Sequence, residues 1–326
     1  MLRPENRAEH FFATSPVFLS HFVLYSFSLS AIMVLKNRCI RGRRKDTSAM
    51  VRIVSDTSAL YSSAQAREAG FAVSPLSVNI AGNTYREFDE ISSDDFVALI
   101  RQGNMPASSQ PAIGEVAALY EEFAQEDILN IAMADGLSGT YGSAVAAADL
   151  ESDRNITVIN SRTLCGPHRY LVENAVKMAK KGKALHEIME HTEALMDTAK
   201  SYLIPADFGY LRRGGRLSPL VSYVGQVTRL APVMTQTEDG RQLIVASIRP
   251  SFIQAIKYVI KALHERQVGE GWHIYITHGA APHLAEKAHK LLSAAFPTAT
   301  LEVYPLSPAF ITQGGPECVA VQVIQD

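Results

Sequence analysis

The sequence predicts an α/β protein of two lobes, and three observations carry that prediction. From Met50 to about residue 182, short apolar runs alternate with longer amphipathic stretches, the pattern of a mainly parallel sheet covered by helices on both faces. Past Ser201 short strand-like runs predominate, so the second lobe reads as α+β with a mixed or antiparallel sheet. The length of 326 residues suits about two domains. With 47% apolar and 20% charged residues, disorder, collagen-like repeats and a coiled coil are set aside. The boundaries expected are an extension over 1–49, an N-terminal three-layer lobe over 50–204, and a C-terminal lobe over 205–326.

Residues 17–35 run nineteen positions without a formal charge, about the length that crosses a bilayer as a helix. Four serines and His21 dilute the stretch, and Lys36, Arg38, Arg41, Arg43, Arg44 and Lys45 follow it. Two readings stay open: an upstream extension without structure, and a membrane-associated helix whose basic flank keeps the remainder in the cytoplasm. Either way the working part is 50–326, and cytoplasmic.

Strands are expected at 52–54, 73–80, 128–132 and 156–159, and helices at 59–69, 93–101, 113–125, 140–150 and 170–181. Asp56 to Ser58 and Ser92 or Ser93 supply cap side chains. Residues 104–111 read as turn. In the second lobe, strands are expected at 202–204, 233–235, 243–248, 273–277, 301–305 and 319–324, with helices at 251–264 and 281–295.

Net charge is −2, which gives no electrostatic footprint for nucleic acid. Three cysteines, Cys39, Cys165 and Cys318, fit neither a disulfide framework nor a zinc site and point to a reducing compartment. The histidines form no metal-ligand spacing, so no metal and no cofactor are expected.

The richest motif is IAMADGLSGTYGSA over 131–144, a strand, a small-residue loop and a helix opening near Thr140. Amides at a helix start attract an anion. Gly136 and Gly139 let backbone approach closely, and Ser138 and Thr140 add hydroxyls. The chain contains no P-loop and no dinucleotide fingerprint. Hydroxyls and amides without fixed cations suit a single carboxylate. A second loop, ASSQP at 107–111, offers Ser108 and Ser109 and is expected to leave the same sheet edge. His278 ends an apolar strand, where it can donate to a carboxylate. GYLRRGGRLSP at 209–219 sets Arg212, Arg213 and Arg216 around two glycines, either as a solvated turn or as a docking patch for a phosphate-bearing partner. A serine hydrolase using Ser138 and His278 is the alternative, although the nucleophile elbow has its second glycine one place early.

In chain order, VSDTSAL (54–60), PLSV (75–78), SSQP (108–111), GLSGTY (136–141), INSRT (159–163), YLRRGGRLS (210–218), THG (277–279) and TQGGP (312–316) resemble the DegV family of bacterial fatty-acid-binding proteins. The resemblance covers about 51–326. It implies two α/β lobes with a long-chain fatty acid, such as palmitate, in a tunnel between them. Its carboxylate would be held by Ser108, Ser109, Ser138, Gly139 and His278. The resemblance further implies a non-catalytic acyl-binding subunit of a fatty acid kinase system, whose kinase forms acyl phosphate for phospholipid synthesis and meets Arg212, Arg213 or Arg216. Membrane contact would be transient or through the N-terminal stretch. Three departures stand out. Ser108 replaces the family's usual Thr, Ala134-Asp135 replaces a Ser pair, and Leu164 to His168 adds bulk and a proline.

Overall fold

The computed structural model is described over residues 50–217 and 230–326. The extension 1–49, with its apolar stretch 17–35, and Ser218 and Pro219 of the arginine motif lie outside the described residues.

β1 (Val51–Asp56) ends at Asp56, which caps a 3-10 turn, Thr57–Ala59, by accepting from the Ser58 N–H. Leu60 then takes a left-handed φ of 60°, so the single helix expected over 59–69 is broken. α1 (Ser63–Ala69) begins at a capping box between Ser62 and Gln65. The strand expected over 73–80 is likewise split. β2 (Ala72–Ser74) precedes Pro75, and β3 (Ser77–Ile80) joins a different sheet with β4 (Asn83–Arg86). α2 (Ser93–Arg101) starts at the Ser92 cap as expected. β5 (Ala107–Ser109) corrects the turn expected there. It pairs antiparallel with β3 in a three-stranded sheet ordered β4-β3-β5.

α3 (Ile113–Glu121), β6 (Asp127–Ala132), α4 (Thr140–Leu150), β7 (Ile156–Asn160), α5 (Cys165–Lys180) and α6 (Leu185–Met196) complete the lobe. α5 starts five residues before its expected position, with Pro167 in its first turn, where an absent N–H leaves no hydrogen bond unmade. The parallel sheet is ordered β2-β1-β6-β7. Alternation along each strand feeds two cores. Ile53, Leu129 and Ile131 pack with Leu171, Val172 and Ile188 of α5 and α6, and Val54, Ile128 and Val158 pack with Val116, Tyr120 and Ala144 of α3 and α4.

The second lobe runs β8 (Lys200–Ile204), α7 (Phe208–Gly214), β9 (Ala231–Gln236), β10 (Leu243–Arg249), α8 (Phe252–Glu265), β11 (Trp272–His278), α9 (Pro282–Ala295), β12 (Thr300–Pro305), α10 (Pro308–Gly314) and β13 (Val319–Gln325). Its six-stranded mixed sheet is ordered β10-β9-β8-β13-β11-β12, with only β11 and β12 parallel. β8 belongs to this sheet, so the sheet begins at Lys200. One face buries Ile274, Ile276, Val321 and Val323 under Ile256, Val259 and Leu263 of α8 and Leu292 of α9. The other face turns toward the first lobe. α5 reaches it where Gly166 approaches Tyr275 so closely that a Cβ would lie 2.2 Å from the ring.

Candidate functional site

A cavity of about 100 Å³ lies on the inward face of the six-stranded sheet, and its exposed wall is almost wholly apolar. Register builds its floor. Leu203 pairs with Met234 on one side and with Ala320 on the other, and all three line the cavity. The first lobe supplies the opposite wall with Met133, Leu137, Leu164 and Cys165. Leu137 comes from the loop between β6 and α4, and Cys165 from the first turn of α5. Burial pushes the Cys165 thiol well above its ordinary range and Cys318 up to about 12, so both wall thiols stay protonated.

Arg216 and Gln313 border the cavity beside Leu211, Phe310 and Gly314. Arg216 Nε donates to the Leu137 carbonyl at 3.1 Å, which fixes α7 to the loop carrying Ser138. The Gln313 amide donates to Ser108 Oγ at 3.0 Å, which fixes α10 to β5. With that lone pair occupied, the Ser108 proton is free to point elsewhere. Gln110 lies over Gly139, where a Cβ would sit 2.3 Å from its amide oxygen. The two motif loops therefore meet, as the sequence implies, although by a different route: Ala107–Ser109 is a strand of the smaller sheet and does not leave the parallel one.

Ser138 is half-buried, with Oγ 2.8 Å from Thr140 Oγ1 and accepting from the Thr140 N–H at 3.3 Å. Gly139 is the N-cap of α4 and Ser109 is exposed. His278 stands half-buried at the end of β11. Its Nδ1 accepts from the Ala281 N–H at 3.1 Å, and burial lowers its pKa while Asp94 opposes the shift. It is not among the residues lining the cavity, and it makes no hydrogen bond to Ser138. A Ser–His–Ser chain exists elsewhere. Ser55 Oγ lies 3.0 Å from His168 Nε2, and Ser161 Oγ lies 2.9 Å from His168 Nδ1, all at 0–1% exposure. Among the arginines, Arg212 and Arg213 are exposed on α7 and Arg213 covers the Tyr210 ring, whereas Arg216 folds inward. Among the described residues there is no cluster of three metal-ligating side chains, and no helix is long and apolar enough to cross a membrane.

Several site residues carried no sequence signal. Gln322 donates to the Leu164 carbonyl and to Ser201 Oγ, at 3.0 and 2.9 Å, and accepts from the Gly166 N–H at 3.3 Å. Gln236 donates to the carbonyls of Arg162 and Gly240. Both sit on strands whose outward pattern is apolar, and only register brings them together. Asp135, a departure from the family pattern, pairs with Arg241 at 3.3 Å, so the hairpin between β9 and β10 closes on the Gly136 loop. Glu87 is fully buried. It accepts from the Thr57 hydroxyl at 2.5 Å and the Ala309 N–H at 2.8 Å, and burial raises its pKa to about 7, with nearby Asp56 adding to the shift.

A family model described as an uncharacterised protein family, DegV, matches residues 50–326. A DegV domain-containing protein of Staphylococcus aureus (strain N315) is 28% identical over 277 residues, which cover 84% of this chain and 98% of that protein. Among solved structures, a fatty-acid-binding DegV family protein from Thermus thermophilus is similar with a TM-score of 0.77 at 23% identity, covering 85% of this chain and 100% of that one. DegV, a fatty acid binding protein from Bacillus subtilis, is similar with a TM-score of 0.76 at 24% identity, again covering 85% and 100%. The match over 50–326, together with the shared fold, establishes that the chain belongs to the DegV family.

Proposed function

We propose that this protein is a cytoplasmic, non-catalytic carrier of a long-chain fatty acid. The observation that carries the reading is an apolar cavity walled by both lobes and bordered by Arg216 and Gln313, of which the first is hydrogen-bonded to the loop carrying Ser138 and the second to Ser108, both serines standing just outside the lining. A hydrocarbon tail gains about 0.8 kcal/mol per buried methylene, and ordering the chain offsets much of that. The tail thus dominates affinity, while the polar end sets orientation. In this reading Ser108 and Ser138 donate to the carboxylate, with the Gly139 amide, Ser109 and His278 as further donors, and Arg216 supplies positive charge at the mouth. The fatty-acid-binding relatives with this fold support it.

The bound acid is then presented to a separate kinase that forms the acyl phosphate, and exposed Arg212 and Arg213 form the docking patch. Native mass spectrometry of protein purified without detergent tests the carrier reading. A co-purified mass matching a fatty acid is expected. Protein that is empty, and stays empty after palmitate is added, overturns it.

A further inference from the structure

One boundary of the cavity is a polar row running across three strands. In the register, Ser201 of β8 stands opposite Gln322 of β13. The β8–β9 pairing of Tyr202 with Thr235 and Leu203 with Met234 sets Ser201 level with Gln236. The next row on the same face is the apolar floor, Ala320, Leu203 and Met234. All three polar residues border the cavity, yet they are only 2–8% exposed, because the two glutamine amides are engaged across the gap between lobes and Ser201 Oγ accepts from Gln322. Gln322 bonds the Leu164 carbonyl and the Gly166 N–H, and Gln236 bonds the Arg162 carbonyl. Behind Gln322, Gly166 meets Tyr275 with no room for a methyl group.

We infer that the row Gln236–Ser201–Gln322 is the stop against which the methyl end of the acid lodges, so that it sets the longest chain the protein accepts. This rests on the carrier reading and adds to it the residues that select length. The reason is an asymmetry of cost. Each methylene that fits inside an apolar slot raises affinity about fourfold. A chain one step too long must part hydrogen bonds whose buried donors and acceptors then have no partner. A wall of satisfied amides therefore ends the slot abruptly, where an apolar wall would yield by side-chain rotation.

The test is a displacement series with saturated acids from octanoate to arachidate. In the wild type, affinity should climb with length and then break off. Ser201→Leu fills the last space and should move the break to acids shorter by about one or two methylenes. Gln322→Ala removes the amide and should move it to longer ones. If Gln322→Ala fails to fold, Ser201→Leu decides alone. Retained binding of acids well short of the break establishes that each variant keeps its cavity. A break that stays at the same length in correctly folded Ser201→Leu overturns the stop and leaves the carrier reading standing. Failure of every acid to bind the wild type overturns both.

Discussion

The Gln313 side chain donates to Ser108 Oγ at 3.0 Å, across 205 positions of sequence. The bond joins the last helix of the second lobe to a strand of the small sheet in the first. It occupies one lone pair of Ser108, so the hydroxyl proton points elsewhere. Two motifs that look independent along the chain, SSQP and TQGGP, are thus one structural unit.

If Ser108 and Ser138 hold a carboxylate, removing both hydroxyls leaves a desolvated charge without two donors. Ser108→Ala combined with Ser138→Ala should weaken palmitate binding by more than about tenfold. Adding His278→Ala should weaken it further. Displacement of a fluorescent fatty acid reads this directly, and unchanged affinity in the double variant removes these serines from the site.

Glu87 makes stability depend on pH. Its folded pKa, about 7, lies above the ordinary 4.5, so the folded state holds the proton more tightly than the unfolded chain does. Its contribution is full below pH 4.5 and is lost as pH rises through 7, an effect of about 3 kcal/mol for this buried group. Glu87→Gln keeps a neutral side chain at every pH. Urea unfolding of both proteins at pH 5 and pH 8 should show the wild type losing stability relative to Glu87→Gln at the higher pH. Parallel pH profiles would contradict the assignment.

At Gly166 the two lobes come close together. In Gly166→Ala the new Cβ lies 2.2 Å from the Tyr275 ring, so α5 or the ring must move. We expect a loss of about 1–3 kcal/mol in unfolding free energy, typical of overpacking. Gly142→Ala, where a Cβ meets nothing within 4 Å, is the control and should be neutral or stabilising.

Arg212 and Arg213 are exposed and lie outside the cavity wall. Replacing both with Glu should leave palmitate affinity unchanged while reducing acyl phosphate formation when a fatty acid kinase is supplied. Arg216, held to the Leu137 carbonyl, is a different case. Its replacement should disturb acid binding itself, as seen in the same displacement titration.

Local pattern located α2 and α4 at their observed bounds, because a Ser92 cap and a small-residue loop act within one turn of the helix they start. It erred where backbone conformation changes inside an apolar run. The left-handed Leu60 breaks one expected helix, and Pro75 divides one expected strand between two sheets. β4, β5, α6, α7 and α10 were not anticipated. β4 and β5 are three or four residues long and polar, so only pairing with β3 makes them strands. The motif loops were legible, but Arg216 was expected beside Arg212 and Arg213 on a partner-facing patch, and it bonds the Leu137 carbonyl instead. That it turns inward, and Arg212 and Arg213 outward, depends on where the Leu137 carbonyl lies.

By itself the sequence determined the family, the two-lobed α/β plan and the small-residue loops, since each follows from residue type and spacing over a few turns of chain. The tertiary structure alone decided that Gln236, Ser201 and Gln322 share a row, that Glu87 is sealed beneath α10, and that Ser108 answers to Gln313. Those facts arise from strand register and from one lobe pressing on the other. Distances of that kind are set by packing among residues far apart in the chain, and no local pattern encodes them.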